Sequence, residues 1–119
     1  MKKIDITWKV FSVYILIIFL MLISGVARGQ VVVTEFNAEW NKANTVKWLL
    51  ELEDCDIAKV DIVKEPKLQT KHKIVVVPTI IVFKDGKEMK RFQADLSFKM
   101  VATREEVQEE IDNQLMSDF

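Results

Sequence analysis

The spacing of apolar positions changes several times along this chain, and each change marks an element. From Val10 to Ala27 there is no charge, and Phe11 to Ile23 is nearly all large and apolar. Val31 to Phe36 is short, β-branched and mostly apolar, the pattern of a buried strand. The period then lengthens. Ala43, Val46, Leu49, Leu50 and Leu52 predict one helix with that side buried and with Lys42, Lys47 and Glu51 in water. Asn41 suits the N-cap of that helix, because its side-chain oxygen can accept a free backbone N–H. Ile57 to Ile62 predicts a second strand. Glu65-Pro66 opens a short helix, since proline is favoured at the first helical position. Thr79 to Phe83 is too apolar to be half exposed and predicts a central strand, and Asp85-Gly86 turns it into Glu88 to Phe92. Thr103 with Glu106 three residues on is a capping box, after which Val107, Ile111 and Leu115 share one helical face. The predicted order after residue 29 is β-α-β-α-β-β-α, an α/β fold.

The first 29 residues support two readings. Lys2, Lys3 and Lys9, an apolar centre, and small Ala27 and Gly29 ahead of Gln30 fit a secretory signal peptide. The uncharged run 10–27 also reaches the length of a membrane anchor, for which roughly 17 residues is the lower limit. The lysines hold the N-terminus in the cytoplasm in both cases. Residues 30–119 are therefore expected in the bacterial periplasm, soluble after cleavage or anchored in the inner membrane through 10–27.

At 119 residues there is room for one small domain. Formal net charge is -1. Lys2, Lys3, Lys9 and Arg28 against Asp5 give the first 29 residues a net +3, so residues 30–119 carry about -4. An acidic domain without a basic patch argues against a nucleic-acid partner. One cysteine, Cys55, excludes an internal disulfide, and with His72 as the one histidine no metal site or other cofactor is expected.

Val31-Val32-Val33-Thr34 runs into Glu35-Phe36-Asn37-Ala38-Glu39-Trp40-Asn41-Lys42-Ala43-Asn44. This resembles the thioredoxin family, whose first functional strand leads to Ala-Glu-Trp-Cys-Gly-Pro-Cys. Ala58-Lys59-Val60-Asp61-Ile62 looks like the family's third strand. Val77-Pro78-Thr79 and Ile80-Ile81-Val82-Phe83-Lys84-Asp85-Gly86-Lys87 look like its Ile-Pro-Thr strand and hairpin. The pattern lies on the chain without a gap from about Val31 to Lys87. It implies a three-layer fold with a mixed four-stranded sheet, lacking the family's first strand and helix and preceded by an N-terminal apolar helix. There are departures. Asparagine stands at both cysteine positions, Lys42-Ala43 replaces Gly-Pro, and the glycine expected near Gln93-Ala94-Asp95 is absent. The stretch Leu96 to Ala102 is also longer than the family needs.

The resemblance sets the functional expectations. Disulfide exchange needs a thiolate, and neither Asn41 nor Asn44 can supply one. Cys55 is flanked by Glu53, Asp54 and Asp56, which raise a thiol's pKa, and the family layout puts it at the far end of the sheet. It reads as a spare thiol or as one half of an intermolecular disulfide. Glu35 matches the family's buried acid and Lys59 its lysine neighbour, an expected ion pair between two strands. Pro78 matches the family's cis-proline, which would aim the backbone of Val77 at a substrate groove with Val75, Val76, Val77 and Trp40 as its apolar rim. Alternatively these valines simply enter the sheet. His72, between Lys71 and Lys73, reads as solvated, and Trp48 as core. The expected function is a redox-inactive protein-binding module that takes a protein or extended peptide through Trp40, Asn41, Lys42, Ala43, Asn44, Val76, Val77 and Pro78. The alternatives are a thiol-disulfide oxidoreductase acting through Cys55 and a purely structural subunit of an envelope complex.

Overall fold

The computed structural model describes residues 30–117, and the expected signal or anchor segment lies outside the described residues. Strand β1 (Val31–Asn37) leads into a 3-10 turn (Glu39–Asn44) and a second one (Leu49–Glu51). Then follow β2 (Asp56–Asp61), α1 (Pro66–Lys71), β3 (Thr79–Lys84), β4 (Lys87–Gln93) and α2 (Arg104–Met116). The strands form one sheet in the order β2-β1-β3-β4. β1 and β2 are parallel, whereas β1–β3 and β3–β4 are antiparallel. Among the described residues this is the mixed four-stranded α/β sheet that the sequence implies.

Both faces of the two central strands are covered, which explains their almost unbroken apolar sequences. Alternate side chains point to opposite faces. Val32, Phe36, Ile81 and Phe83 gather on one face with Ala58, Val60, Ile74 and, from α1, Leu68. Val31, Val33, Ile80 and Val82 gather on the other with Val46, Leu49 and, from α2, Val107 and Ile111. Burial of one such side chain contributes about 1.5–3 kcal/mol. Trp48 packs, partly buried, against the second cluster. Asp85 and Gly86 both take positive φ, 52° and 83°, as a tight primed hairpin requires. Thr103 and Glu106 make the reciprocal cap that opens α2.

Two expectations are corrected. The helix predicted after Asn41 is two short 3-10 pieces, because the chain is extended at Thr45 (φ -59°, ψ 150°). The buried Glu35 carboxylate causes the break. It accepts the Val46 N–H at 2.9 Å and the Thr45 hydroxyl at 3.1 Å, a donor that a continuous helix would have turned to its own backbone. Leu50, expected on a buried face, is 71 % exposed as a result. Asn41 is not an N-cap, since Ala38 holds that position without a side-chain bond.

His72 is not solvated. It is 8 % exposed, and its ring lies between Phe36 and Phe83, each 5.4 Å away centroid to centroid. Its Nε2 is buried without a hydrogen-bond partner. Lys71 and Lys73 remain exposed on either side.

Candidate functional site

β1 and β3 carry the expected site residues to one end of the sheet. Phe36 pairs with Thr79, so Asn37 and the turn beyond it leave the sheet where Val77 and Pro78 enter it. The Val77–Pro78 peptide is cis. The Val77 side chain is buried, Val76 is half-buried and Val75 is exposed. Val76 uses its carbonyl to accept the Thr79 hydroxyl at 2.6 Å, and the Pro78 carbonyl accepts the Ala94 N–H at 3.1 Å. Among the described residues the Val77 N–H and C=O take no partner. The valines before Pro78 therefore approach the sheet but stop short of joining its ladder.

Across from them, Trp40 is 62 % exposed. Lys42 and Ala43 are also exposed. Lys42 pairs with Glu39 at 3.3 Å, an exposed contact of little energetic weight. Asn41 differs from its neighbours in being buried. Its Nδ2 donates to the Asn37 Oδ1 at 3.1 Å and to the Phe98 carbonyl at 3.2 Å, and its Oδ1 accepts from Asn44 Nδ2 at 2.8 Å. The two residues at the cysteine positions thus hydrogen-bond to one another, and the first of them is committed to the chain's own backbone.

Phe98 was not among the expected site residues. Its carbonyl meets Asn41, and its ring stands edge-on to Trp40, 5.3 Å away at 86°. Its φ is 63°, a left-handed conformation that costs a non-glycine residue about 1–2 kcal/mol. The only signal for it in the sequence is the extra length of Leu96 to Ala102. Asn37 and Thr45, which bond to the site through side chains, carried no signal at all.

Glu35 is 1 % exposed. Burial pushes its carboxyl above the usual range, against the opposing pull of the Val46 N–H, the Lys59 charge and the Thr45 hydroxyl. Lys59 stands opposite Glu35 in the β1–β2 register. It acts through its charge, while the hydrogen bonds come from Thr45 and Val46. Both residues border a cleft of about 260 Å³ that Lys42, Asp61 and Lys64 also line. Cys55 precedes β2 at the other end of the sheet, half-buried. Burial, then Asp56 and Asp54, pushes its thiol up to about 11. No group of three His, Cys, Asp or Glu that could hold a metal occurs among the described residues. None of the helices among them is long and apolar enough to cross a membrane.

Comparison with known proteins agrees with this geometry. A thioredoxin from Chlamydia trachomatis is 36 % identical over 75 residues, covering 56 % of this chain and 71 % of that protein. Thioredoxin Y1 of Arabidopsis thaliana chloroplasts is 40 % identical over 48 residues, 40 % of this chain but only 28 % of that protein's length. Among solved structures, a thioredoxin from Nicotiana alata superposes with a TM-score of 0.63 at 19 % identity, covering 87 % of this chain and 85 % of its own. One from Schistosoma mansoni gives 0.56 at 27 % identity, with 71 % and 76 % covered. The thioredoxin family profile matches residues 24–106. Sheet order, site placement and profile together make this chain a member of the thioredoxin family, with asparagine at both cysteine positions.

Proposed function

We propose that this chain is a redox-inactive thioredoxin-family module that binds a protein or extended peptide, exported to the periplasm or tethered to the membrane facing it. The observation that carries this is the state of the former reactive turn. Asn41 and Asn44 hydrogen-bond to each other, and an amide neither ionises nor forms a mixed disulfide. Disulfide chemistry through Cys55 is disfavoured by a thiol pushed up to about 11, since at neutral pH almost none of it is thiolate.

Binding is supported by what stays unpaired or exposed at the same end of the sheet. The unpartnered Val77 N–H and C=O can pair with an extended strand, and Trp40 and Val75 offer exposed apolar surface beside them. Asn41 contributes by shaping the turn rather than by touching the partner. Export is supported by the basic start and apolar run of residues 1–29.

The test has two arms. The full-length protein should give no turnover in an insulin-disulfide reduction assay. Turnover that disappears with Cys55→Ser would overturn the redox-inactive part. Partners captured in mild detergent should be lost with Trp40→Glu plus Val76→Asp. Capture that survives both substitutions would overturn the groove as the binding surface.

A further inference from the structure

The loop after β4 has an architecture of its own. Ala94 and Met100 form an isolated antiparallel bridge at its base. Within it, Asp95 Oδ1 accepts the Ser97 N–H at 2.8 Å, the Ser97 hydroxyl at 2.6 Å and the Lys99 N–H at 3.2 Å. The Asp95 N–H donates to the Lys99 carbonyl and the Phe98 N–H to the Asp95 carbonyl, both at 3.0 Å. The loop is therefore closed on itself by its own hydrogen bonds.

Two contacts hold this loop against the former reactive turn, and others fix its base. Its base is tied to the groove by the Ala94 N–H on the Pro78 carbonyl. Its tip gives the Phe98 carbonyl to Asn41 Nδ2 and the Phe98 ring to Trp40. Met100, also at the base, packs partly buried against the second core cluster, while Asp95 to Lys99 are exposed, Leu96 by 98 %. A segment fastened at so few points opens locally at low free energy. Phe98, in a left-handed conformation, is the kind of residue that persists there only while its surroundings fix it.

We infer that residues 95–99 form a strap over the turn and that Asn41 is its latch. With the strap docked, the buried amide of Asn41 and part of the Trp40 ring are covered. With the strap raised, both are released and the groove beside Pro78 widens toward the turn. The asparagine at the first cysteine position thus has a use of its own, which is to donate where a thiol would have attacked. This goes beyond the binding-module reading and does not depend on it, because latching belongs to the chain alone.

The test uses full-length protein in mild detergent, labelled with 5-fluorotryptophan and read by fluorine NMR. Trp40→Phe assigns the Trp40 resonance. Phe98→Ala removes the ring and should move that resonance to the position of the raised strap. Asn41→Asp is nearly isosteric but puts an acceptor against the Phe98 carbonyl, and should shift the resonance the same way. The Asn41 amide meets the backbone carbonyl of Phe98 and Trp40 meets its ring, so each substitution removes a different contact of the same docked strap. In the Phe98→Ala background, with the strap already raised, Asn41→Asp should add little. An unchanged Trp48 resonance shows that the fold is kept. If Asn41→Asp disturbs Trp48, Asn41→Ser, too short to reach Phe98, takes its place in the cycle. Strictly additive shifts, or a Trp40 resonance indifferent to Phe98→Ala, would overturn the latch.

Discussion

Asn41 and Phe98 are 57 positions apart in sequence, yet the side-chain amide of one donates to the backbone carbonyl of the other at 3.2 Å. In the working members of the family the first of these positions holds the attacking sulfur. In this chain it holds a donor that faces inward. The change is one of direction as well as of chemistry, since a group meant for an incoming substrate has been turned onto the protein's own loop.

Restoring sulfur should therefore restore only part of the chemistry. Asn44 Nδ2 lies 2.8 Å from Asn41 Oδ1, so the two side chains already meet. Asn41→Cys with Asn44→Cys should oxidise to an internal disulfide, detected by thiol titration and intact mass. Insulin reduction should be measurable but well below that of a thioredoxin with Gly-Pro between its cysteines. Two thiols that fail to pair under mild oxidation would contradict the alignment of the turn.

His72 should make the fold acid-sensitive. Burial, then the Lys71 charge, lowers its pKa below 6.5, with Glu88 opposing. The unfolded chain then binds the extra proton first, so stability is held above 6.5 and lost as pH falls from there through the folded pKa. His72→Phe suits a slot between Phe36 and Phe83 and removes the unpartnered Nε2. At pH 5 it should gain on the order of 1 kcal/mol over the parent in urea unfolding. The gain should shrink at pH 8. An equal gain at both pH values would leave desolvation of the ring's charge unsupported.

Glu35 should act in the opposite sense. Its folded pKa is raised, so its contribution is full below 4.5 and is lost as pH rises through the folded value. Relative to Glu35→Gln, the parent should therefore lose stability as pH rises from 4.5 through that folded value. Glu35→Ala leaves the Val46 N–H and the Thr45 hydroxyl without their acceptor, which costs about 1–3 kcal/mol. Amide exchange at Val46 reads the loss directly. Protection of that amide unchanged in Glu35→Ala would show that the carboxylate does not hold the break between the two 3-10 turns.

Cys55 should alkylate slowly. With its thiol pushed up to about 11 by burial, Asp56 and Asp54, the rate with iodoacetamide should keep rising up to that pH. It should be more than tenfold below a model thiol at pH 8. A rate that levels off near pH 8 would mean an ordinary or activated cysteine.

The strands were legible in the sequence because their information is local. A run such as Val31-Val32-Val33 or Ile80-Ile81-Val82 has one low-energy use in a domain this small. For the opposite reason, the break was not legible in the first helix. Its apolar spacing was present, but Glu35, ten and eleven positions earlier, takes the hydroxyl of Thr45 and the amide of Val46, and no periodicity records which carboxylate a backbone N–H will choose. His72 was hidden in the same way, since the two lysines beside it are solvated while the fold turns the ring under two phenylalanines. The unusual length after Leu96 was visible. Its destination was not, because docking onto Asn41 and Trp40 is a contact between distant parts of the chain.

Gln30, whose N–H and C=O are both held by Asp85, directly precedes β1, which ends at Asn37 beside the reactive turn. Seven residues of strand put roughly 20 Å between these two poles. Whatever precedes Gln30 is therefore attached at the pole remote from Trp40. A tether there and a guest at the other end would not compete for room, and a domain moored by its first strand would hold its groove outward, toward the surrounding fluid.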